Sequence, residues 1–317
     1  MCVNILLKNT GTNVISGRIM DYEMDILGKF IPVPEGGEIF NAENYSARET
    51  LPKVKYGHVL VDFLDKPYPT DGMNSEGLSM NMTWLDETVY PRQEERIEGK
   101  EYHPFNYLLS YVLGQCKDVE EVRYVLETVY FYEVPLELYT WRPMMHLIAN
   151  DRNGGSLIVE FIQGVPVIHD FGIMTGSPTL DIHLKKLDEY KKLVAENPEL
   201  AGFRGIAKVL DSEYPDERFL LLFHLNETRE KANTVQKAVA RCFRILGRAE
   251  FWDEEFKLRD GSRAKFLWAM VRDHKAARLY FRSRYNQTVQ MVDVNKLLSS
   301  GRSDIYIKNG EWFTEVE

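Results

Sequence analysis

The first residues of the chain alternate between apolar and other positions in a way that is typical of a β-hairpin. Apolar residues recur at every second position over 3–7, a polar turn covers 9–13, and a mostly apolar run returns over 14–20. Period-two alternation places successive side chains on opposite faces of a strand. The pattern therefore predicts two antiparallel strands, which bring the segment 17–21 back toward the second residue.

Further along the chain, the apolar spacing changes between that of strands and that of helices. The stretch 28–72, dotted with Pro and Gly, predicts irregular strands and loops, and Asp118 is a predicted N-cap. The predicted helices are 104–116, 118–128, 181–196 and 232–246, and the further strands are 77–85, 145–149, 156–161, 165–169, 266–272 and 278–284. Strands at both termini with helix pairs between them predict one α+β domain over 1–317.

Composition narrows the function classes. The chain has 317 residues, 44% of them hydrophobic, and a net charge of -9, which argues against a nucleic-acid partner. The sequence shows neither a secretory signal nor an apolar run long enough for a membrane helix, so we expect a cytoplasmic protein without a membrane partner. The three cysteines are widely spaced and fit a reducing compartment. No sequence motif predicts a metal site or a cofactor.

Cys2 is a candidate nucleophile for a chemical reason. Removal of Met1, which is efficient before a small residue, leaves a residue that carries both a thiol and a free α-amine. That amine has an ordinary pKa of about 7.7–8.0 and acts as a base near neutral pH. A nucleophile activated by its own terminal amine needs no histidine partner. The alternative is that Cys2 is an incidental N-terminal residue.

Arg18 and Asp21 fall on the return strand of the predicted hairpin, close to Cys2. An arginine beside a thiol favours the thiolate, and an aspartate beside the amine would orient it. The alternative for these two residues is an ordinary surface ion pair.

Several segments together resemble the choloylglycine hydrolase family, which contains the conjugated bile salt hydrolases and the penicillin V acylases. The resemblance begins with Cys2 and the segment GRIMD at 17–21. It continues in the same order with DGMNSEGL at 71–78, LGQC at 113–116, VEEV at 119–122, GIMTGSP at 172–178, ERF at 217–219, WAMVRD at 268–273 and YFR at 280–282.

The resemblance implies a fold, an activity and a set of site residues. The fold would be a four-layer αββα sandwich of antiparallel sheets, as in N-terminal nucleophile hydrolases. Cys2 would attack a linear amide, with Arg18, Asp21 and Arg218 around it and no cofactor. An oxyanion donor would come from the region of Trp84, often as a backbone N–H. Trp84 is alternatively a core aromatic residue.

The sequence departs from the family motif at Gly176, where the family carries an asparagine whose side-chain amide points at the oxyanion. Losing one such donor typically lowers turnover roughly 100- to 1,000-fold. A neighbouring donor such as Asn81, Thr175 or Ser177 could substitute. The backbone of Gly176 could instead lie closer, or the protein could be a weak member of the family.

The resemblance also indicates an acyl pocket and an assembly. Residues expected to line the pocket are apolar, which suits a steroid or an aromatic acyl chain; they are Met20, Phe63, Val134, Leu136 and Leu138. A conjugated bile salt or a penicillin V-like amide is the expected small-molecule substrate, with an N-acyl homoserine lactone third. The segment 187–215 predicts contact with a neighbouring copy, hence a homotetramer. Two further hypotheses are an acyltransferase on the same thioester and a catalytically weakened member with a binding role.

Overall fold

The computed structural model of the protein describes residues 2–23, 28–40, 51–62, 69–95, 98–134, 144–201, 214–227, 231–251, 261, 263–302 and 305–306. The strands are β1 (Val3–Leu6), β2 (Ile15–Tyr22), β3 (Lys29–Val33), β4 (His58–Asp62), β5 (Pro69–Asn74), β6 (Ser79–Trp84), β7 (Glu101–Pro104), β8 (Val129–Tyr132), β9 (Met145–Asn150), β10 (Ser156–Ile162), β11 (Val165–His169), β12 (Ile173–Thr175), β13 (Lys265–Asp273), β14 (Arg278–Ser283), β15 (Asn286–Asp293) and β16 (Ile305–Tyr306). The helices are α1 (Leu108–Gln115), α2 (Val119–Thr128), α3 (Leu180–Glu196), α4 (Pro215–Asn226), α5 (Val235–Leu246) and α6 (Val294–Ser299).

Two antiparallel sheets form the centre of the molecule. The first sheet, sheet A, has the strand order β12-β1-β2-β13-β14-β15. The second sheet, sheet B, has the order β11-β10-β9-β6-β5-β4-β3-β16. A separate pair, β7 and β8, is parallel.

Helices cover the outer face of each sheet. Helices α4 and α5 pack on sheet A, and α3 packs on α4, while α1 and α2 pack on sheet B. One hydrophobic cluster lies under each helix layer, and a third lies between the sheets, where it includes Cys2 and Met20. This order of layers confirms the predicted α+β sandwich, in which each sheet buries both of its faces.

The N-terminal hairpin is present as predicted. Strands β1 and β2 are antiparallel, with Val3 opposite Ile19 and Asn4 opposite Arg18. On its other edge β1 pairs with β12, and β2 pairs with β13. The N-terminal segment is therefore an interior strand of sheet A, and its position is set by hydrogen bonds on both sides.

The turn between β5 and β6 is held by the side chain of Asn74. Its Oδ1 accepts hydrogen bonds from the N–H groups of Glu76 (3.1 Å) and Leu78 (2.9 Å). Its Nδ2 donates to the carbonyls of Leu113 (2.9 Å) and Cys116 (2.7 Å) at the end of α1. One buried amide thus satisfies the open carbonyls of a helix end and fixes the hairpin of sheet B that faces Cys2.

Most of the predicted elements are confirmed within one or two residues. The N-cap prediction also holds, because Asp118 accepts a hydrogen bond from the N–H of Glu121 at 3.0 Å. The prediction for 28–72 is wrong in part, because β3 and β4 lie in this stretch as regular strands and β5 begins there. All residues of β4 and β5 are buried, so no alternation of polar and apolar positions marks them.

Two predicted helix starts are wrong for local reasons. The helix predicted from residue 104 begins at Leu108, because Pro104 has extended backbone angles and ends β7. The helix predicted from residue 232 begins at Val235, because Thr234 caps it by accepting from the N–H of Lys237 at 3.3 Å. Helix α4 is an addition that the apolar spacing did not predict.

No helix among the described residues is long and apolar enough to cross a membrane.

Candidate active site

The thiol of Cys2 lies between the two sheets, just before β1 begins. The residue is 6% exposed, and its Sγ lies 3.6 Å from Nη2 of Arg18 and 3.5 Å from Sδ of Met20. Asn4 pairs directly with Arg18, and side chains two residues apart on a strand share a face. The hairpin register therefore brings Arg18 to the same side of sheet A as Cys2.

Arg18 extends from sheet A to sheet B. Its Nη1 donates to the carbonyl of Thr70 (2.8 Å) and to Oδ2 of Asp71 (3.1 Å), and its Nη2 donates to the carbonyl of Met82 (2.6 Å). Burial lowers the pKa of Arg18, but its interactions with Cys2 and Asp71 raise that pKa by more, so the net shift is upward. The guanidinium is therefore a fixed positive charge beside the thiol.

Asp21 and Arg218 form a buried ion pair close to Cys2. Nη2 of Arg218 lies 2.9 Å from Oδ2 of Asp21 and 2.5 Å from the carbonyl of Ala249. The guanidinium of Arg218 also lies 4.2 Å from the ring centre of Phe251. Burial raises the pKa of Asp21, and Arg218 opposes that rise. Because Arg218 comes from α4, the four predicted catalytic residues meet although 197 positions separate Asp21 from Arg218.

Gly176 follows the end of β12 and lies opposite Cys2 in the sheet register. Val3 pairs with Thr175, so the next position of this antiparallel register pairs Cys2 with Gly176. The carbonyl of Gly176 is 2.9 Å from Nε2 of His183 on α3. The hydroxyl of Thr175 donates to the carbonyl of Pro215 at 2.9 Å, so this neighbour is already engaged.

Trp84 ends β6 on the sheet B side of the site. Leu85 donates from its N–H to the carbonyl of Met144 at 2.9 Å. Hydrogen bonds alternate along an antiparallel ladder, so the N–H of Trp84 points to the other edge of β6. The carbonyl of Met82, which accepts from Arg18, points to that same edge. The backbone of Trp84 is therefore directed toward the side where the guanidinium and the thiol meet.

A short chain of hydrogen bonds ties Trp84 to the segment of Gly176. The indole Nε1 of Trp84 donates to Oδ1 of Asp86 (2.8 Å), and the N–H of Asp86 donates to Oγ of Ser177 (2.8 Å). These bonds connect the end of β6 to the residue after Gly176. The two predicted oxyanion regions thus belong to one hydrogen-bonded unit.

Asn81 lies on the face of β6 that is turned toward sheet A, beside its strand partner Asp71. It is fully buried, and neither its Oδ1 nor its Nδ2 has a hydrogen-bond partner among the described residues. Thr83, two positions closer to Trp84, accepts from Asn4 at 3.0 Å. The structure thus places Asn81 next to the Arg18–Asp71 pair and gives no direct contact between Asn81 and Cys2.

Of the predicted acyl-pocket residues, Met20 lies against Cys2. Val134 is partly buried and packs against a tyrosine cluster of Tyr102, Tyr130 and Tyr132 at β7 and β8. Phe63, Leu136 and Leu138 lie outside the described residues.

Two charged residues near Cys2 were not predicted as site residues, although they lie in the sequence motifs that carry the family resemblance. Asp71 opens the DGMNSEGL segment, and Arg272 lies in the WAMVRD strand. Nη2 of Arg272 forms an ion pair with the same Oδ2 of Asp71 that Arg18 contacts. Arg272 follows the apolar run 266–271 in a predicted strand, and a charge in a buried strand requires a partner. That feature is the signal by which Arg272 could have been found, whereas Asp71 follows Thr70 and carries no such signal.

The family of the chain follows from a comparison that covers nearly all of it. Residues 2–300 match the model of "Linear amide C-N hydrolases, choloylglycine hydrolase family". The chain belongs to the choloylglycine hydrolase family. The resemblance read from the sequence motifs is therefore confirmed.

Two curated relatives are similar to the chain. A bile salt hydrolase/transferase of Clostridium perfringens is 30% identical over 195 residues, which are 60% of this chain and 57% of the relative. The match therefore spans somewhat more than half the length of that relative. A penicillin V acylase of Pectobacterium atrosepticum is 27% identical over 265 residues, which are 77% of this chain and 67% of the relative.

Solved structures support the fold. The C2A mutant of the conjugated bile acid hydrolase from Clostridium perfringens superposes with a TM-score of 0.81 at 21% identity, covering 97% of both chains. Penicillin V acylase from Agrobacterium tumefaciens superposes with a TM-score of 0.77 at 27% identity, covering 95% of this chain and 88% of the other. The fold of the protein is that of these N-terminal nucleophile hydrolases.

The Asp21–Arg218 pair leads to a stability prediction. Arg218→Met leaves the Asp21 carboxylate buried and unpaired, and we expect the free energy of unfolding to fall by about 3–5 kcal/mol. Arg218→Met combined with Asp21→Asn removes both charges and should lose clearly less. Urea unfolding followed by circular dichroism measures both values. As a control, Arg123→Met breaks the exposed pair with Asp170 and should cost at most about 1 kcal/mol. If the free energy of unfolding falls equally in the single and the double variant, the Asp21 charge does not depend on Arg218 for its stabilisation.

Proposed function

We propose that the protein hydrolyses a linear amide C–N bond with Cys2 as its nucleophile, once removal of Met1 has exposed the α-amine. The observation that carries this proposal is the 3.6 Å contact between Sγ of Cys2 and Nη2 of Arg18 inside the layer between the sheets. A fixed cation at this distance favours the thiolate, which is the reactive form of cysteine. Membership of a family of linear amide hydrolases supports the same chemistry.

The proposed reaction has two steps. In the first step the thiolate attacks the amide carbonyl and forms a C–S bond, and the α-amine, which has taken up the thiol proton, passes it to the leaving nitrogen as the C–N bond breaks. In the second step the α-amine removes a proton from water, the hydroxide adds to the thioester carbonyl, and the C–S bond breaks as the sulfur takes that proton back from the amine. The acyl group leaves as a carboxylic acid. Asp21, held by Arg218, orients the amine.

The oxyanion formed in both steps needs hydrogen-bond donors that point at the substrate's carbonyl oxygen. We assign the first donor to the backbone N–H of Trp84, whose direction along β6 suits the role. Gly176 offers only its backbone on the opposite side. Among the substitutes considered from the sequence, Thr175 is engaged by Pro215, while Asn81 carries an amide without a partner. Asn81 and the Gly176 backbone therefore stay the candidates for the second donor.

An apolar acyl group fits the surroundings of the thiol. Met20 lies in van der Waals contact with Cys2, and both residues belong to the apolar cluster between the two sheets. The relatives are named for bile salt hydrolysis and for penicillin V acylation. We therefore propose a conjugated bile salt or a penicillin V-like amide as substrate, with an N-acyl homoserine lactone as a third class.

The first prediction from this proposal concerns Cys2 itself. Cys2→Ala should abolish the release of taurine, glycine or 6-aminopenicillanic acid from taurocholate, glycocholate or penicillin V, because no thiolate remains to form the thioester. Amine release measured with a fluorogenic amine reagent gives the rate. The protein should have an intact mass that lacks Met1.

The matched controls are Cys116→Ala and Cys242→Ala. Both thiols are buried, and burial raises the pKa of Cys116 and raises that of Cys242 to about 12, so both stay protonated near neutral pH. We expect these variants to keep their activity and expect Cys2 alone to be alkylated at neutral pH. Hydrolysis that persists in Cys2→Ala would overturn the proposal. Absence of hydrolysis in the wild type would favour a catalytically weakened member with a binding role.

The second prediction concerns Gly176. Gly176→Asn restores a side-chain amide opposite Cys2 and should raise kcat, by up to roughly 100-fold. The backbone of Gly176 is not in the left-handed region, so asparagine introduces no backbone strain. Gly176→Ala is the matched control, since it adds a Cβ without an amide. If turnover is unchanged or lower in Gly176→Asn, another donor already serves, and loss of activity in Asn81→Ala would identify it.

A second function has one observation in its favour, because the Clostridium perfringens relative is named as a hydrolase and a transferase. In an acyltransferase an amine replaces water in the second step. Adding glycine, taurine or another amino acid to the reaction would then yield a new amide in proportion to acceptor concentration. Mass spectrometry of the products distinguishes the two functions on the same thioester.

Assembly and location belong to the same proposal. We propose a cytoplasmic homotetramer on the family resemblance, with the segment 187–215 at the contact. Residues 202–213 of that segment lie outside the described residues. Sedimentation of the purified protein gives the oligomeric state.

A further inference from the structure

Two arginines share one carboxylate oxygen beside the nucleophile. Arg18 on β2 and Arg272 on β13 both contact Oδ2 of Asp71, which lies across the layer on β5. The side chains of all three residues are 1% exposed. Oδ1 of Asp71 has no hydrogen-bond partner among the described residues. The carboxylate is thus divided between two cations through a single oxygen.

This arrangement leaves one positive charge in excess. Two guanidinium groups and one carboxylate are buried together, and an unbalanced buried charge is costly unless an opposite charge lies near it. The thiol of Cys2, 3.6 Å from Nη2 of Arg18, is the adjacent group that becomes negative when it loses its proton. A thiolate at Cys2 would bring the cluster to neutrality.

We propose that Arg272 is a positioning residue for the amide-cleaving reaction: by holding Oδ2 of Asp71, it keeps Asp71 from neutralising Arg18 and leaves the Arg18 charge available to the Cys2 thiolate. The inference rests on the proposed role of Cys2 as nucleophile. Without Arg272, both oxygens of Asp71 are free to form a bidentate pair with Arg18, the preferred geometry for these groups. Arg18 would then turn toward sheet B and away from the sulfur.

Other titratable groups lie near the cluster and are the same in every comparison. They are the α-amine that removal of Met1 exposes, Asp21 on β2 with its partner Arg218 on α4, Cys242 on α5, which interacts with Arg272 and Arg241, and His274 after β13, which interacts with Arg272. Burial lowers the pKa of His274 to about 4, so it is neutral near pH 7. None of these groups is altered in the variants below.

The test is a double-mutant cycle on the reactivity of the thiol. The variants are Arg272→Met, Asp71→Asn and the combination of both, prepared with Met1 removed. The rate of Cys2 alkylation by iodoacetamide is followed by mass spectrometry between about pH 5 and pH 9. We expect Arg272→Met to lower the rate at pH 7 about tenfold and to move the midpoint of the pH–rate profile upward by about one unit, because Asp71 then neutralises Arg18.

The double variant decides the mechanism. Arg18 alone then provides the single excess charge that the wild-type cluster has, and it keeps its bonds to the carbonyls of Thr70 and Met82. The rate should therefore return to within about threefold of the wild type. A double variant as slow as Arg272→Met, or slower, would show that Arg272 is only a structural support. An unchanged rate in Arg272→Met would also overturn the proposal.

Two further variants guard against loss of folding. Arg272→Lys keeps a cation on Asp71 and should stay within about threefold of the wild type. Arg278→Met makes the same chemical change in the adjacent strand, at a partly exposed pair with Asp293, and should leave the profile unchanged. If the single variant Arg272→Met does not fold, two other variants are compared with the wild type. They are the double variant, Asp71→Asn combined with Arg272→Met, and the single variant Arg272→Lys. Alkylation reports the thiol whatever the substrate is, so a failure here is distinct from an absence of amide hydrolysis.

Discussion

The guanidinium of Arg18 joins the two sheets beside Cys2, and the geometry of the candidate site depends on that contact. It leaves sheet A beside Cys2 and donates to the carbonyls of Thr70 and Met82 and to the carboxylate of Asp71 on sheet B. Taking an arginine out of water costs several kcal/mol, and only well-formed hydrogen bonds offset this cost. The carbonyl acceptors belong to strand backbones, which cannot move without disturbing sheet B. The position of the charge is therefore set by how the sheets pack.

The same packing explains why residues from distant segments meet. Val3 pairs with Thr175 across β1 and β12, which sets Gly176 near Cys2, and Arg18 on β2 contacts the thiol of Cys2. Arg218 reaches Asp21 from α4, which packs on the outer face of sheet A. The ion pair behind Asp21 thus depends on the helix layer, whereas the contact of Arg18 depends on the opposite sheet. Both sides of the site are fixed by elements of the core rather than by loops.

The sequence predicted the parts of the site that depend on local register. Alternation over the first twenty residues was enough to bring Arg18 toward Cys2, because a short hairpin leaves few registers to choose from. Helix α4, which carries Arg218, was not predicted from spacing. Seven of its residues are buried, among them Phe219 and three consecutive leucines, so no polar stripe marks the helix period. Only the resemblance of the segment 217–219 indicated its place.

The spacing of apolar residues along the sequence could not predict which side chains meet between the two sheets. Asp71 and Arg272 are 201 positions apart, and each lies in a strand whose neighbours are buried. Hydrophobic periodicity gives the face of a strand but not the strand that packs opposite to it. A charged residue in such a strand indicates that a partner exists, and the partner is identified only when the packing of the two sheets is known.

Gly176 stands where the resemblance to the family implies an asparagine, and its backbone is closely held. The segment around it is held by three elements: His183 on α3 contacts its carbonyl, Thr175 donates to Pro215 of α4, and Ser177 accepts from Asp86 after β6. Catalysis by an oxyanion hole depends on donors that are fixed before the charge develops. If Gly176 is the second donor, as proposed, a backbone held on three sides would meet that requirement without the rotamer freedom of an asparagine side chain. The glycine would then lack a side-chain amide while keeping a fixed N–H, and we expect the consequence on turnover rather than on folding.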